Sequence, residues 1–213
     1  MSEPEFRRDG EDGRIGGVAV GVVTNNEDPE GMGRVKLSYP WRDADDESYW
    51  ARIATPMAGE DRGTYFLPEE GDEVLVAFED GDIHHPYVLG ALWNGAEKPP
   101  EDNADGENDV RKIRSRSGHE IVFDDSDTEG NVEITTNDGH RILLDDSATG
   151  SKISIEDTAH NEIVLDSMDG TIEISSATKL SLTAPTIEIG GSGNVEIESA
   201  GILTLKGSLI KIN

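Results

Sequence analysis

Apolar residues alternate with polar ones through most of the second half of the chain, between Ile121 and Asn213. Each unit is an apolar residue, any residue and a second apolar residue, the period-two pattern of a strand that buries one face. Successive units lie farther apart at the start, as from Ile121 to Val132, than near the end, as from Val195 to Leu203. Turn-forming pairs such as Asp138-Gly139 lie between them. The pairs are Ile121/Phe123, Val132/Ile134, Ile142/Leu144, Ile153/Ile155, Ile163/Leu165, Ile172/Ile174, Leu180/Leu182, Ile187/Ile189, Val195/Ile197, Leu203/Leu205 and Ile210/Ile212.

A repeat of short strands this regular predicts a β-solenoid or β-prism, in which each strand buries its apolar residues only against neighbouring units. Full burial of an Ile or Leu contributes roughly 1.5–3 kcal/mol, whereas each ordered residue costs about 1.5 kcal/mol. A single repeat with two inward side chains is therefore marginal alone. Either one chain coils on itself or several copies share one core. The shortening interval favours an intertwined homo-oligomer, because a single coil normally needs a constant length per turn.

The first half of the chain carries five strand-like runs before Gly95 and no amphipathic helical pattern. In one run Val35, Leu37 and Tyr39 alternate with polar residues, as expected of a strand with one solvated face. Five short strands in fewer than about 90 residues predict a small barrel, and the five-stranded OB type matches this size. The runs are Ile15–Thr24, Arg34–Tyr39, Tyr49–Thr55, Glu73–Glu79 and Pro86–Trp93.

The composition changes after the last of these runs. Residues 97–110 are polar, contain Pro99-Pro100 and lack a strand pattern, which predicts a linker between two domains. We therefore predict an all-β chain in four parts. These are a flexible N-terminus at 1–13, an OB-fold domain at 14–96, the linker at 97–110 and the repeat region at 111–213.

The charge narrows the range of functions. The chain has 45 Asp and Glu against 18 Lys and Arg, for a formal net charge of −27. A nucleic-acid partner is disfavoured, since binding a phosphate backbone needs a basic surface. Self-repulsion on this scale destabilises a compact state in dilute salt but is screened at molar salt, where the Debye length is about 3 Å. The composition therefore predicts a salt-adapted source such as a halophilic archaeon; an acidic secreted or viral protein is the alternative.

The chain has no cysteine, so disulfides and thiolate metal sites are not available to it. No apolar run has the length of a membrane span, and the first residues lack the apolar core of a signal peptide. We expect synthesis in the cytoplasm without a signal peptide, and any export by a route that needs no cleaved signal.

The barrel region resembles a known family. Gly21–Trp41 (GVVTNNEDPEGMGRVKLSYPW) and Trp50–Gly95, with its Leu-Pro-x-x-Gly-Asp-Glu-Val and Gly-x-Leu-Trp-Asn-Gly segments, closely resemble the OB domain of contractile-tail spike proteins. That family includes phage baseplate assembly protein V and the valine-glycine repeat spikes of contractile injection systems. Ile113–Ser126 (IRSRSGHEIVFDDS) resembles the start of the triple-stranded β-helix in the same proteins.

The resemblance implies a homotrimer with OB barrels at the base of an intertwined β-helical needle over residues 111–213. It implies a rigid structural spike that is driven through a target envelope when a sheath contracts. A separate hub or baseplate protein is expected at the OB end, because only about fifteen residues precede the barrel. No His-x-His iron-binding apex lies near Asn213, so a tip protein of the proline-alanine-alanine-arginine repeat (PAAR) type is expected as the cap.

The candidate site residues serve assembly. For tip docking we predict Ile210, Ile212 and Asn213, at the chain end that stops in strand register. The predicted trimer core consists of Ile121, Ile142, Ile163, Ile172, Ile187, Val195 and Leu203.

Histidines and acidic turns are the remaining candidates for chemistry. His119 and His140 each lie two residues before a core isoleucine, whereas His160 lies three before Ile163, which weakens the case for an interior ring of imidazoles. The acidic steps Asp124-Asp125 and Asp145-Asp146 offer oxygen ligands, but they lack the calcium-binding nonapeptide, so solvated turns are favoured. We predict no metal or cofactor site.

Catalysis is not predicted, because the sequence has no G-x-S-x-G, H-E-x-x-H or P-loop motif. Two further classes of function stay open as alternatives. A trimeric tail fibre that binds or cleaves surface glycans would need exposed aromatic platforms, yet Phe123 is the only aromatic residue after Trp93. An OB-fold nucleic-acid binder is opposed by the charge.

Overall fold

A computed structural model describes residues 14–43 and 47–212 of the chain, and every strand in it belongs to a β-sheet or hairpin. The chain divides into two compact units, Met1–Ala104 and Asp105–Asn213. This division falls inside the stretch expected to be the linker. The predicted flexible N-terminus, residues 1–13, lies outside the described residues.

The first unit is built on a five-stranded sheet with the strand order β2-β1-β6-β7-β3. Each of the five strand-like runs contains one strand of this sheet, although β3 is confined to Arg52–Ile53. A short hairpin, β4-β5, stands apart from the sheet and was not predicted. The strands are β1 Val18–Asn25, β2 Lys36–Ser38, β3 Arg52–Ile53, β4 Ala58–Gly59, β5 Arg62–Gly63, β6 Glu73–Phe78 and β7 Pro86–Ala91.

The two ends of this sheet meet at a single β-bridge between Val35 and Ala51, with N–H···O distances of 3.0 and 2.7 Å. The bridge bends the sheet around one core, to which the strands contribute alternate side chains. Gly21 lies where β1 crosses the core, and a Cβ there would lie 3.2 Å from Val76 Cγ2. The side chains most completely removed from solvent are Val23, Val35, Leu37, Val74, Val76 and Val88.

The second unit contains a seven-stranded antiparallel meander in which sequence neighbours are also neighbours in the sheet. The strands are equal in length, and their registers are continuous from the first to the last. The chain therefore folds back and forth in one plane over this stretch and does not coil as a single-chain solenoid would. The strands are β8 Val110–Arg114, β9 Glu120–Asp124, β10 Asn131–Thr135, β11 Arg141–Asp145, β12 Lys152–Glu156, β13 Glu162–Asp166 and β14 Thr171–Ser175.

The repeating unit of the meander is one hairpin with its two loops. Three loops are equivalent, because in each the first residue donates its N–H to the carbonyl at the loop's end: Ser115 to His119, Thr136 to His140 and Asp157 to Asn161. The residue before the acceptor has a positive φ in all three, 91° at Gly118, 95° at Gly139 and 61° at His160. His160 thus takes the place of a glycine, which explains why it is out of step with the other histidines.

Residues 176–212 have the alternating pattern but form no strand, and each of them is exposed. The strands expected at the five pairs from Leu180 to Ile212 are therefore absent from the single chain. The physical reason is that a strand exists only beside a hydrogen-bonded partner, and the chain folds no neighbour alongside this stretch.

Candidate assembly surface

One face of the meander is almost entirely apolar. On each strand the second and fourth residues point to this face, and the register places them in two continuous columns. Every position is apolar except Arg111. We call this surface the apolar face. Its members are Ile113, Ile121, Phe123, Val132, Ile134, Ile142, Leu144, Ile153, Ile155, Ile163, Leu165, Ile172 and Ile174.

The predicted core residues on these strands all lie on the apolar face, so the sequence grouped them correctly on one side of the sheet. None of them is buried by the chain itself: Ile121 is 37% exposed and Ile172 is 70% exposed. Ile187, Val195 and Leu203 are exposed in the segment without strands. Contiguous apolar surfaces beyond a few hundred Å² mark interaction sites in soluble proteins. The apolar face therefore has the character of an interaction surface.

The opposite face is polar and is satisfied by its own ion pairs. Arg141 contacts Glu133 at 2.7 Å, and Arg114 contacts Glu120 at 3.2 Å. The hydrogen bond from Arg141 lowers the pKa of Glu133 below its usual range and raises that of Arg141. Leu143, in the middle of this face, is only 6% exposed. This face needs no further partner and is suited to contact with solvent.

Two histidines and two aspartates flank the apolar face on the same side of the sheet. Backbone hydrogen bonds extend the ladder by one residue beyond the strands, at 115/119 and 136/140 on one edge and at 109/125 and 130/146 on the other. Alternation then puts His119, His140, Asp125 and Asp146 on the side that carries Ile121 and Ile142. His119 and His140 thus lie on the same side of the sheet as the core isoleucines, as their spacing in the sequence predicts.

His119 accepts a hydrogen bond at Nδ1 from the backbone N–H of Asn137, 3.1 Å away, which ties two successive loops together. His160 instead lies 3.6 Å from Glu156 in its loop. Within the residues that the structure describes, no group of three or more His, Asp or Glu side chains is placed to hold a metal ion.

The acidic turns at the other end of the strands have a structural role. Asp124, Asp145 and Asp166 end their strands, and each accepts a backbone N–H from two residues later, at 3.0, 2.8 and 2.8 Å. Hydrogen bonds from Ser147 lower the pKa of Asp145. These carboxylates fold the turns, since a side chain that accepts such bonds mimics a backbone turn.

The predicted tip-docking residues lie in the segment without strands. Ile210 is half exposed and Ile212 is 87% exposed, on the same side of an extended chain. Asn213 lies outside the described residues.

In the first unit, one aspartate organises the turn between β1 and β2. The Asp28 carboxylate accepts the Arg34 Nε–H and Nη2–H at 2.8 Å each, together with the backbone N–H groups of Glu30 and Met32. The bidentate Arg34 contact is the main cause that holds the pKa of Asp28 far below its usual range. The turn presents Met32 to solvent.

Sequence reasoning did not single out the aromatic residues of this unit as surface groups. Tyr49, Tyr65, Phe66 and Trp93 are all exposed, with Tyr65 at 75%. Aromatic side chains are enriched at protein interfaces, so each of these exposed rings is a candidate contact residue. The available signal was their position, since Tyr49 and Trp93 lie at the ends of strand-like runs and Tyr65 and Phe66 lie between runs.

Comparison with known proteins identifies the first unit. The type VI secretion system and phage-baseplate injector OB domain matches residues 19–93, which include every strand of the five-stranded sheet except the first residue of β1. Through this domain the chain is similar to the spike proteins of type VI secretion systems and phage baseplates. The family resemblance found in the sequence is confirmed. A haloarchaeal source remains a prediction.

Three relatives show the extent of the likeness to the spike family. Type VI secretion system spike protein VgrG2a of Pseudomonas aeruginosa is 34% identical over 95 residues, covering 41% of this chain and 11% of the relative. VgrG4b of the same species is 31% identical over 134 residues, covering 52% of this chain and 16% of the relative. VgrG3 of Vibrio cholerae is 30% identical over 93 residues, covering 42% of this chain and 9% of the relative.

The chain thus spans about a tenth of the length of the first curated relatives it matches. The family match ends at residue 93, before the meander begins. Among the residues that the structure describes, no helix has the length and apolar character needed to cross a membrane.

Proposed function

We propose that the chain is the central spike of a contractile tail or contractile injection system, assembled as a homotrimer. The observation that carries this proposal is the apolar face, which spans all seven strands of a sheet that has no second layer in its own chain. The similarity of the OB unit to the spike family supports the role. The exposed apolar face explains why the chain would assemble, because a sheet with one apolar side needs a second layer.

Three copies packed around one axis would enclose the apolar faces in a prism and leave the polar faces outside. Each level along the axis would then hold the two apolar residues of one strand from each copy. Burial of an aliphatic side chain contributes roughly 1.5–3 kcal/mol, so the gain accumulates over the whole sheet.

The segment after Ser175 is consistent with the same assembly. Its backbone N–H and C=O groups need hydrogen-bond partners if the alternating residues are to form strands. Two further copies would supply these neighbours, so residues 176–212 become the intertwined part of the needle. The proposed needle therefore has a base in which each sheet comes from one chain and a distal part in which strands of different chains pair.

The partners follow from the ends of this needle. A hub or baseplate protein would bind at the OB end, where the exposed aromatic side chains offer a contact region. A PAAR-type tip protein would bind around Ile210, Ile212 and Asn213. Both partners would be assembled in a virion tail or contractile particle, and we expect neither a nucleic-acid ligand nor a cofactor.

The proposed mechanism is mechanical. A prism with a filled core and paired strands resists bending, and sheath contraction supplies the work for puncturing the target envelope. No bond-making step is required of the chain, so we propose that it is not an enzyme. In molar salt, screening would permit three chains of charge −27 to share one axis.

The test is reconstitution of the full chain with a PAAR-type tip protein in molar salt, measured by size-exclusion chromatography with light scattering. We expect a complex of three chains and one tip. The double variant Ile210→Asp, Ile212→Asp is expected to keep the threefold mass and lose the tip. Lys211→Asp, on the other side of the extended chain, is the matched control and should keep both. A trimer that binds no tip, or a double variant that binds it normally, would contradict the proposed docking.

A further inference from the structure

The two edges of the apolar face carry different polar side chains. Each odd-numbered strand from β9 to β13 ends in a polar residue at both sides of this face. We call the side with His119, His140 and Asn161 the histidine edge, and the side with Asp125, Asp146 and Ser167 the aspartate edge. Backbone hydrogen bonds of 2.8–3.1 Å hold all six positions in the ladder of the sheet.

The two edges of one sheet cannot reach each other. His140 and Asp146 lie at opposite ends of β11, and an extended chain of that length spans about 20 Å. Each group is exposed in the single chain. On the histidine edge the neighbours of His140 are Thr136 and Asp157, and on the other edge Asp146 lies beside Gly130 and Ser151.

A cyclic assembly brings these edges together. When identical copies are arranged around an axis along which the strands are stacked, the histidine edge of one copy meets the aspartate edge of the next. Rotation about that axis does not move a strand along it, so the same strand level meets in both copies. His140 then lies opposite Asp146 of the neighbouring copy, and His119 opposite Asp125.

The three repeats vary in a way that fits this pairing. The first two repeats have His on one edge and Asp on the other. The third has Asn161 and Ser167, so both members change at the same level.

We infer that the chains of the needle are joined along their seams by His–Asp contacts, His140 to Asp146 and His119 to Asp125 of the adjacent copy. The inference rests on the proposed function, in that it requires parallel copies around one axis. Asp125 also forms an ion pair with Arg111 of its own chain at 3.0 Å. The contact between His140 and Asp146, at the level of β11, is therefore the simpler one to test. Complementary charges at an interface fix register more than they add affinity. The seam would therefore hold the three sheets level while the apolar face supplies the stability.

Disulfide trapping tests the pairing directly, because the natural chain has no cysteine. In the double variant His140→Cys, Asp146→Cys, a disulfide within one chain is excluded by the distance across the strand, since bridged Cα atoms lie within about 7 Å. We expect mild oxidation in molar salt to convert most of the full-length chain to a covalent trimer on a non-reducing gel. The two single variants should form no trimer.

The matched control pairs different levels. In His140→Cys, Asp125→Cys the two cysteines are offset by two strands, about 10 Å at the usual strand spacing, and should cross-link poorly. If His140→Cys, Asp146→Cys fails to assemble, the pair Asn161→Cys, Ser167→Cys tests the seam at its neutral level and should give the same covalent trimer.

The outcomes separate this inference from the proposed function. A threefold mass for the natural chain together with efficient cross-linking only of the offset pair, or of none, would overturn the seam and leave the spike in place. A monomeric mass for the natural chain would overturn both.

Discussion

The two units of this chain differ in whether they bury their own apolar side chains. The OB unit bends one sheet around its own core and removes six aliphatic side chains almost completely from solvent. The second unit spreads its seven strands into one layer and leaves the whole apolar face on one side. The difference shows that regular strands alone do not make a self-sufficient fold, because a sheet also needs a second layer.

A second contrast lies inside the second unit, Asp105–Asn213. The meander closes its backbone hydrogen bonds within one chain, whereas the segment from 176 to 212 does not. Both stretches carry the same period-two pattern, so the distinction comes from the loops. In the meander the loops are long enough to return the chain beside itself, as between Asp124 and Asn131. The later repeats are more closely spaced, with eight residues from Val195 to Leu203 against eleven from Ile121 to Val132.

The largest effect should come from a charge on the apolar face. Ile172→Asp would place three carboxylates at one level of the shared core, and burial of unpaired charge costs several kcal/mol per group. We expect loss of the trimer by light scattering, while the OB unit keeps its own unfolding transition. Thr171→Asp, the neighbouring residue on the opposite face, is the control and should assemble normally. Normal trimer from Ile172→Asp would show that the apolar face is not the core.

A substitution in the core of the OB unit should affect only that unit. Leu37 is removed from solvent among the core valines, so Leu37→Ala should destabilise this unit by roughly 2–5 kcal/mol. The mass of the needle assembly should stay the same. Val18→Ala, at an exposed position of β1, is the control and should have little effect. Equal loss of OB stability and of trimer from Leu37→Ala would mean that the two units do not fold independently.

The Asp28 turn gives a pH test restricted to the OB unit. Its pKa is depressed in the folded state, chiefly by Arg34, so its contribution to stability is present above the unfolded-state pKa of about 4. The contribution is lost as pH falls towards the lower folded-state value. Asp28→Asn should lower the melting temperature of the OB unit at neutral pH, and this deficit should shrink in acid. Glu27→Gln, which lies beside the turn, is the control. A deficit that does not change with pH would contradict the role of the charge.

The smallest expected effect concerns a single loop of the meander. His160 has a φ of 61° where the equivalent loops have glycine. His160→Gly should therefore stabilise the second unit, by about 0.5–1 kcal/mol, because it removes the backbone strain of a non-glycine residue at positive φ. Gly139→His is the reciprocal variant and should destabilise by a similar amount, as judged by thermal unfolding of the trimer. Destabilisation by His160→Gly would show that the imidazole makes a contact worth more than the strain.

Much of the fold could be predicted from the sequence wherever an alternating strand and the strand that pairs with it belong to the same chain. Ile121 and Ile142 were placed on one face by alternation, and the OB unit was placed by its motifs. The role of His160 was also present in the sequence, but it becomes visible only when successive hairpins are aligned, which puts Gly118, Gly139 and His160 at the same position.

Other features had no local signal. The β4-β5 hairpin contains Gly59 and Gly63 in place of alternating apolar residues, and the Val35–Ala51 bridge joins residues that no periodicity relates. At Leu180 and beyond, the pattern predicts strands correctly only if another molecule supplies the neighbour. A sequence states which residues prefer burial, but it does not state which chain covers them.

The account depends most on copies of this chain covering the apolar face, and absolute mass tests this most directly. We would measure the purified full chain by light scattering in molar salt and again after dilution to low salt. The account predicts a compact threefold mass in molar salt, with dissociation favoured at low salt as the charge of −27 per chain loses its screening. A stable monomer in molar salt would contradict it.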